Sequence, residues 1–254
     1  MERIKKDIHT HTIYSRGVGH YGHHAISTMM ENAESAYQKG LSVLGISDHG
    51  PSHKLYGINS RDWQSILDDK KRVNEYYNPK GLTVILGMEA NLTGWDGEVD
   101  IPEDWLKDMD YVLMGYHYAA MPSDPMSGVE MFIMNPMSKF LKLGRLRTIE
   151  KNTIAFIKAV ERYPLFGITH PGDKIEIDVR ELAKACKKHK VKLEVNAAHC
   201  KLTSEDLISL GNDFSDYFVG SDAHNAMRVG EVDKAIRICE SGGVNVEDIW
   251  NFKE

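Results

Sequence analysis

The chain has 254 residues, enough for one large α/β domain whose core needs no disulfide or metal staple. With 42% hydrophobic and 27% charged residues, it does not read as a disordered, collagenous or membrane-spanning protein. Its formal charge of −6, from 31 Lys and Arg against 37 Asp and Glu, has the wrong sign for a non-specific nucleic-acid binder.

In chain order, short apolar runs alternate with longer helical patterns. The first run is Lys6 to His9, and a helix is expected over Ala25 to Lys39, stopping at Gly40. The second run, Ser42 to Asp48, precedes a helix from Arg61 to Tyr77 that ends before Pro79. Runs three and four are Leu82 to Met88 and Asp110 to Tyr116, and a Met-rich stretch from Met121 to Met137 reads as a loop over the strand ends or a patch packed on them. A helix over Ile149 to Tyr163 leads to the fifth run, Leu165 to Thr169. Asp178 caps a helix to His189, and runs six and seven follow at Val191 to Val195 and Asp216 to Ser221. Runs this short and this continuously apolar are strands of a parallel sheet buried on both faces. Alternating with helices, they form βαβ units, and what sits at the strand ends favours a barrel over an open sheet.

Three cysteines without a C-x-x-C pair make neither a disulfide framework nor a zinc ribbon, which points to a reducing compartment; Cys186 and Cys239 are expected in the core. The segment Met1-Glu-Arg-Ile-Lys-Lys6 lacks the apolar region of a signal peptide, and no run approaches the roughly 18 apolar residues of a membrane span. A cytoplasmic protein is expected.

Twelve histidines are the conspicuous count. Strand one ends in Asp7-Ile-His9-Thr-His11, strand two in Asp48-His49, strand three in Glu89, strand four in His117, strand five in His170 and strand seven in Asp222-Ala-His224. In a parallel barrel these ends open on one face, where the side chains converge. His9 and His11 share one face of their strand, a spacing suited to holding one metal between two imidazoles. One such motif is weak evidence; a His, Asp or Glu at six strand ends makes a metal site the better reading.

Asp7-x-His9-x-His11, Ser47-Asp48-His49-Gly50, Gly87-Met-Glu89-Ala-Asn91, Gly115-Tyr-His117, Thr169-His170-Pro-Gly172, Glu194-Val-Asn196 and Gly220-Ser-Asp222-Ala-His224 occur in this order. In that order the chain resembles the polymerase and histidinol phosphatase (PHP) family, most of all its single-domain bacterial phosphoesterases. The resemblance implies a distorted seven-stranded (β/α) barrel, one domain over 1–254, holding three divalent ions. By motif, His9, His11 and Asp222 would hold one ion, His117 and His170 a second, and Glu89 would bridge them. The third would take His49, His224 and a histidine from the loop after strand one, which offers His20, His23 and His24; His20 is chosen because it comes first after the motif. Zinc, manganese and iron all suit such ligands.

The implied function is hydrolysis of a small phosphomonoester by a metal-bridged hydroxide, with Glu89 and Asp222 at the reaction centre and Asp48 either orienting an imidazole or handling a proton. Asp7 is expected to orient an imidazole too. Arg228 and Arg16 are the chosen phosphate contacts, ahead of Arg145 and Arg147. His53 and His189 read as surface residues, and His199 with Cys200 as an ordinary loop pair. Competing readings are a phosphodiesterase or 3′ exonuclease acting on single-stranded nucleic acid, which the −6 charge disfavours, a metal-dependent amidohydrolase, and a non-catalytic metal-binding barrel.

Overall fold

The computed structural model describes residues 4–16 and 24–253. Eight strands are formed: β1 (Lys6–Asp7), β2 (Val43–Ile46), β3 (Thr83–Leu86), β4 (Glu89–Asn91), β5 (Leu113–Gly115), β6 (Gly167–Ile168), β7 (Lys192–Asn196) and β8 (Tyr217–Gly220). The eight helices are α1 (Met29–Gln38), α2 (Trp63–Tyr77), α3 (Pro125–Val129), α4 (Asn135–Leu141), α5 (Arg145–Arg162), α6 (Val179–His189), α7 (Ser204–Leu210) and α8 (Asp233–Ser241). None of the helices in the described residues is long and apolar enough to cross a membrane.

All strand pairs are parallel, as the buried, continuously apolar runs predict. The expectation of seven strands needs correction, since the described residues form eight. The strands lie in two sheets, β1-β2-β3 and β4-β5-β6-β7-β8, because the third run breaks at Gly87-Met88. Tyr111 packs at this point: its ring occupies the space a side chain on Gly87 would need, and its hydroxyl that of one on Gly45. Beyond the break, β4 leaves β3's line and pairs with β5. Isolated parallel bridges, Thr10 with Ala223 and His49 with Glu89, join β1 to β8 and β2 to β4 just past the strand ends.

Helix ends follow local chemistry. The first helix begins later than its apolar pattern suggests, because Thr28 and Glu31 make a reciprocal capping box. Asp178 caps α6 as expected, accepting from the amides of Arg180 and Glu181. The Met-rich stretch is helical rather than a loop: α3 runs through a π turn at Glu130–Met134 into α4.

Two apolar clusters support the strands. The large one, from Ile4 to Ile249, packs the helices against the sheets, with Cys186 and Cys239 buried in it. The small one gathers Ile8, Tyr111, Leu113 and Phe218 with Ile85, Phe166 and Trp250. Tyr111 donates its hydroxyl to the Ile8 carbonyl at 2.7 Å, which satisfies the one polar group that the cluster buries on that ring.

Candidate metal centre

The residues that carry the sequence motifs converge beyond the strand C-termini. Glu89, the first residue of β4, lies at the middle, with His170 Nε2 2.9 Å and His117 Nε2 3.5 Å from its Oε1, and His49 Nδ1 3.0 Å from its Oε2. His9 Nε2 is 3.4 Å from Glu89 and 3.6 Å from Asp222; His11 Nε2 is 3.3 Å from Asp222. His224 stacks on His11 with ring centroids 4.4 Å apart.

Polar atoms buried like this are normally paired. Here His9 Nε2, both ring nitrogens of His11 and His49, both oxygens of Glu89 and His224 Nε2 are buried with no hydrogen-bond partner. Eight orphaned atoms from five residues, facing one another, fit divalent cations. Four groups of three have ligand atoms close enough to share an ion: His11, His49 and His224; His9, His170 and Asp222; His9, His11 and Glu89; and His49, Glu89 and His117.

Neighbouring side chains set which nitrogen faces the centre. His9 Nδ1 lies 2.6 Å from Glu194 Oε1, leaving Nε2 inward. His117 Nδ1 meets Asn91 Oδ1 at 2.8 Å, while the Asn91 amide donates to Asp100 Oδ2 at 2.7 Å, so the Asn91 oxygen is free to accept from the ring. His224 Nδ1 donates to the Asp222 carbonyl at 2.9 Å. Glu194 also accepts the His170 backbone amide at 2.8 Å and the Asn196 amide at 3.0 Å. His170 and Asp222 both have left-handed backbone (φ 29° and 51°), a strain on the order of 1–3 kcal/mol each that the packing around them sustains.

Electrostatics run in opposite senses within the cluster. Burial works against the charged form of Glu89, but His117, His9 and His170 outweigh it and hold the carboxyl well below its usual range. Asp222 is likewise held well down against burial, chiefly by His9 and His11. Burial, with His224 and His49 adding to it, keeps His11 well below the usual imidazole value. For His9 the carboxylates of Glu194, Glu89 and Asp222 overcome burial and raise it well above that value. A neutral imidazole and an ionised carboxylate are the forms that bind metal.

Other expectations need correction. Asp48 spends both oxygens on the loop after β1, accepting from Thr12 N (2.7 Å), Thr12 Oγ1 (2.6 Å) and Ser15 Oγ (2.6 Å), and it does not line the cavity. Among its hydrogen bonds none goes to an imidazole. Asp7 binds Ser221 Oγ and Gly230 N, tying β1 to the turn after β8 rather than to a histidine ring. Arg16 is held by Asp62 at 2.7 Å and Arg228 faces Glu231 at 3.4 Å, so neither reaches the cavity; Arg145 is held by Glu176. For Arg16 and Arg145 the partner carboxylate comes from a distant element, while Arg228 meets a carboxylate three residues along its own segment. His20 and His23 lie outside the described residues. His24 brings its ring to 4.2 Å from His224 and 5.6 Å from His49, centroid to centroid.

The cavity of about 270 Å³ over the cluster also includes residues that the sequence left aside. His53, expected at the surface, is buried and stacks between His49 and Tyr56. His199 stands between Asp173 (3.4 Å) and Asp222 (3.5 Å). Tyr118 and Lys174 complete the wall. Their only sequence signal was position, since each follows a ligand motif by a few residues.

No family model matches the chain. A probable phosphatase of Shewanella frigidimarina is 32% identical over 260 residues, covering 96% of this chain and 88% of that protein. This chain belongs to the PHP family. The probable phosphatase YcdX of Shigella flexneri is 29% identical over 259 residues, covering 96% and 89%. Among solved structures, the histidinol phosphate phosphatase of Lactococcus lactis, complexed with zinc, L-histidinol and phosphate, superposes with a TM-score of 0.62 at 13% identity, covering 96% of this chain and 95% of that one. That likeness, across nearly the whole of both chains, places this PHP protein's α/β fold with a known PHP architecture.

Proposed function

We propose that the protein is a metal-dependent phosphatase acting on small phosphomonoesters, and that residues 1–254 form one such domain. The observation that carries this reading is the set of eight buried, unpartnered donor and acceptor atoms on His9, His11, His49, Glu89 and His224. Its closest support outside the chain is the relationship to proteins named as probable phosphatases. Three divalent ions are the proposed occupancy, held by His9, His11, Glu89, Asp222, His49, His117, His170 and His224 together with a histidine of the loop after β1. The bridges at Thr10–Ala223 and His49–Glu89 support counting the two sheets as one distorted barrel. A cytoplasmic location remains part of the proposal.

Bound divalent ions supply Lewis acidity for the phosphate oxygens and a water acidic enough to act near neutral pH. The chain's own contribution is orientation. Glu194 and Asn91 fix His9 and His117 by their Nδ1 atoms, so Nε2 faces the centre. Glu89 presents its two oxygens to different histidines, which suits a carboxylate shared between ions. The cavity of about 270 Å³, lined by Tyr56, His53, Tyr118 and His199 among others, has room for a small ester.

The test is hydrolysis of p-nitrophenyl phosphate and of bis(p-nitrophenyl) phosphate by protein of measured metal content. Turnover of the monoester, lost on chelation and regained on adding zinc or manganese, is expected. Turnover of the diester alone, or of single-stranded oligonucleotide alone, would replace this reading with a phosphodiesterase.

A further inference from the structure

We infer that Lys174 is the side chain that receives the phosphoryl oxygens of the substrate, and so sets preference for the doubly charged monoester. This rests on the phosphatase reading above. Four observations lead to it. Among the described residues, Lys174 is the one lysine or arginine that lines the cavity, sharing it with Glu89, His170 and Asp222. None of the arginines nominated by charge and position, Arg16, Arg145, Arg147 and Arg228, lines it; Arg16 is held by Asp62 and Arg145 by Glu176.

The base of Lys174 is fixed while its head is not. Its backbone is left-handed (φ 41°), unusual for a residue other than glycine, and its carbonyl accepts both the Tyr118 hydroxyl at 2.9 Å and Lys139 Nζ at 3.1 Å. These contacts hold the Cα at the cavity wall. The ammonium lies 2.5 Å from Asp173 Oδ2, yet that buried oxygen has no partner at hydrogen-bonding geometry. A close ion pair without an aligned hydrogen bond is a resting place that a better-placed anion displaces.

An arriving phosphate offers the ammonium several further oxygens to donate to. A dianionic monoester gains more from one added cation than a monoanionic diester does, since the attraction scales with the charge. Asp173, vacated, keeps His199 as its neighbour at 3.4 Å and so is not left bare.

The test compares Lys174→Met, which keeps the length of the side chain, and Lys174→Arg with the parent protein. Three quantities are read: KM and kcat for p-nitrophenyl phosphate, the dissociation constant of inorganic phosphate by calorimetry, and zinc content. For Lys174→Met, KM and the phosphate dissociation constant should rise together by about tenfold, the usual loss of one charge-assisted hydrogen bond, with kcat falling less than KM rises and zinc content unaltered. Lys174→Arg should recover most of the phosphate affinity. Unchanged phosphate affinity in Lys174→Met overturns the assignment, as does an equal loss in both variants with zinc lost. If the parent protein binds phosphate but hydrolyses no monoester, the phosphatase reading fails while the calorimetry still decides the role of Lys174.

Discussion

The same strands end in two regions that treat polarity in opposite ways. Around Ile8, Tyr111, Leu113 and Phe218, side chains from several strands meet as hydrocarbon, with Trp250 and Phe166 edge-on at 4.9 Å and the Tyr111 hydroxyl satisfied. A few residues further along those strands stand His9, His117 and Asp222, and there donors and acceptors are buried without partners. Most of the buried polar atoms left unpaired in the described residues gather where cations are needed. The first region supplies stability, and the second draws on it, in orphaned groups and in the left-handed backbone at His170 and Asp222.

Breaking the polar region should have the larger effect on function. Glu89→Gln keeps the shape of the side chain but removes the charge that several histidines face; kcat is expected to fall by about a thousandfold or more, with zinc content reduced. A variant with full activity and full zinc would remove Glu89 from the centre. Breaking the apolar region should act on stability instead. Phe218→Ala opens a void among Ile8, Leu113 and Phe166 and is expected to cost about 3–5 kcal/mol in urea denaturation, while kcat per folded molecule stays within about threefold.

Two smaller changes sharpen the contrast. Glu194→Gln touches no ion in this scheme, yet it loosens both His9 and His170; zinc affinity, by titration against a chromogenic chelator, should weaken about 10–100-fold with little change in folding midpoint. A drop in midpoint without loss of zinc affinity would make Glu194 a structural residue only. Arg228→Ala, at an exposed site near Glu231, should leave KM within about twofold, since surface ion pairs contribute little and Arg228 is not among the residues lining the cavity.

Much of the centre could be read in the sequence because a parallel strand delivers its last residues to one face whatever the helices do. That is why His9, His11, Glu89, His117, His170 and Asp222, spread over more than two hundred positions, could be grouped in advance. The break at Gly87-Met88 could not, because the apolar run continues through it and the close packing of Tyr111 on Gly87 is a long-range contact. Nor could the fate of Arg16, which the distant Asp62 decides. Asp48 sits in a ligand motif and still serves the loop, since Thr12 and Ser15 offer their donors first. His53, His199 and Lys174 reach the cavity through loop geometry that carries no periodic signal.

The bond between His9 and Glu194 spans 185 positions of the chain. Its consequence concerns the order of assembly. His9 can present the correct nitrogen only after the seventh of the eight strands has taken its place, and Asp222 arrives with the eighth. Contacts this distant form late, because their loop-closure cost falls before any gain. A nascent chain paused midway through synthesis holds histidines but no finished trap for a cation. Metal uptake would then mark the completed fold, and its time course during refolding should lag the burial of the tryptophans.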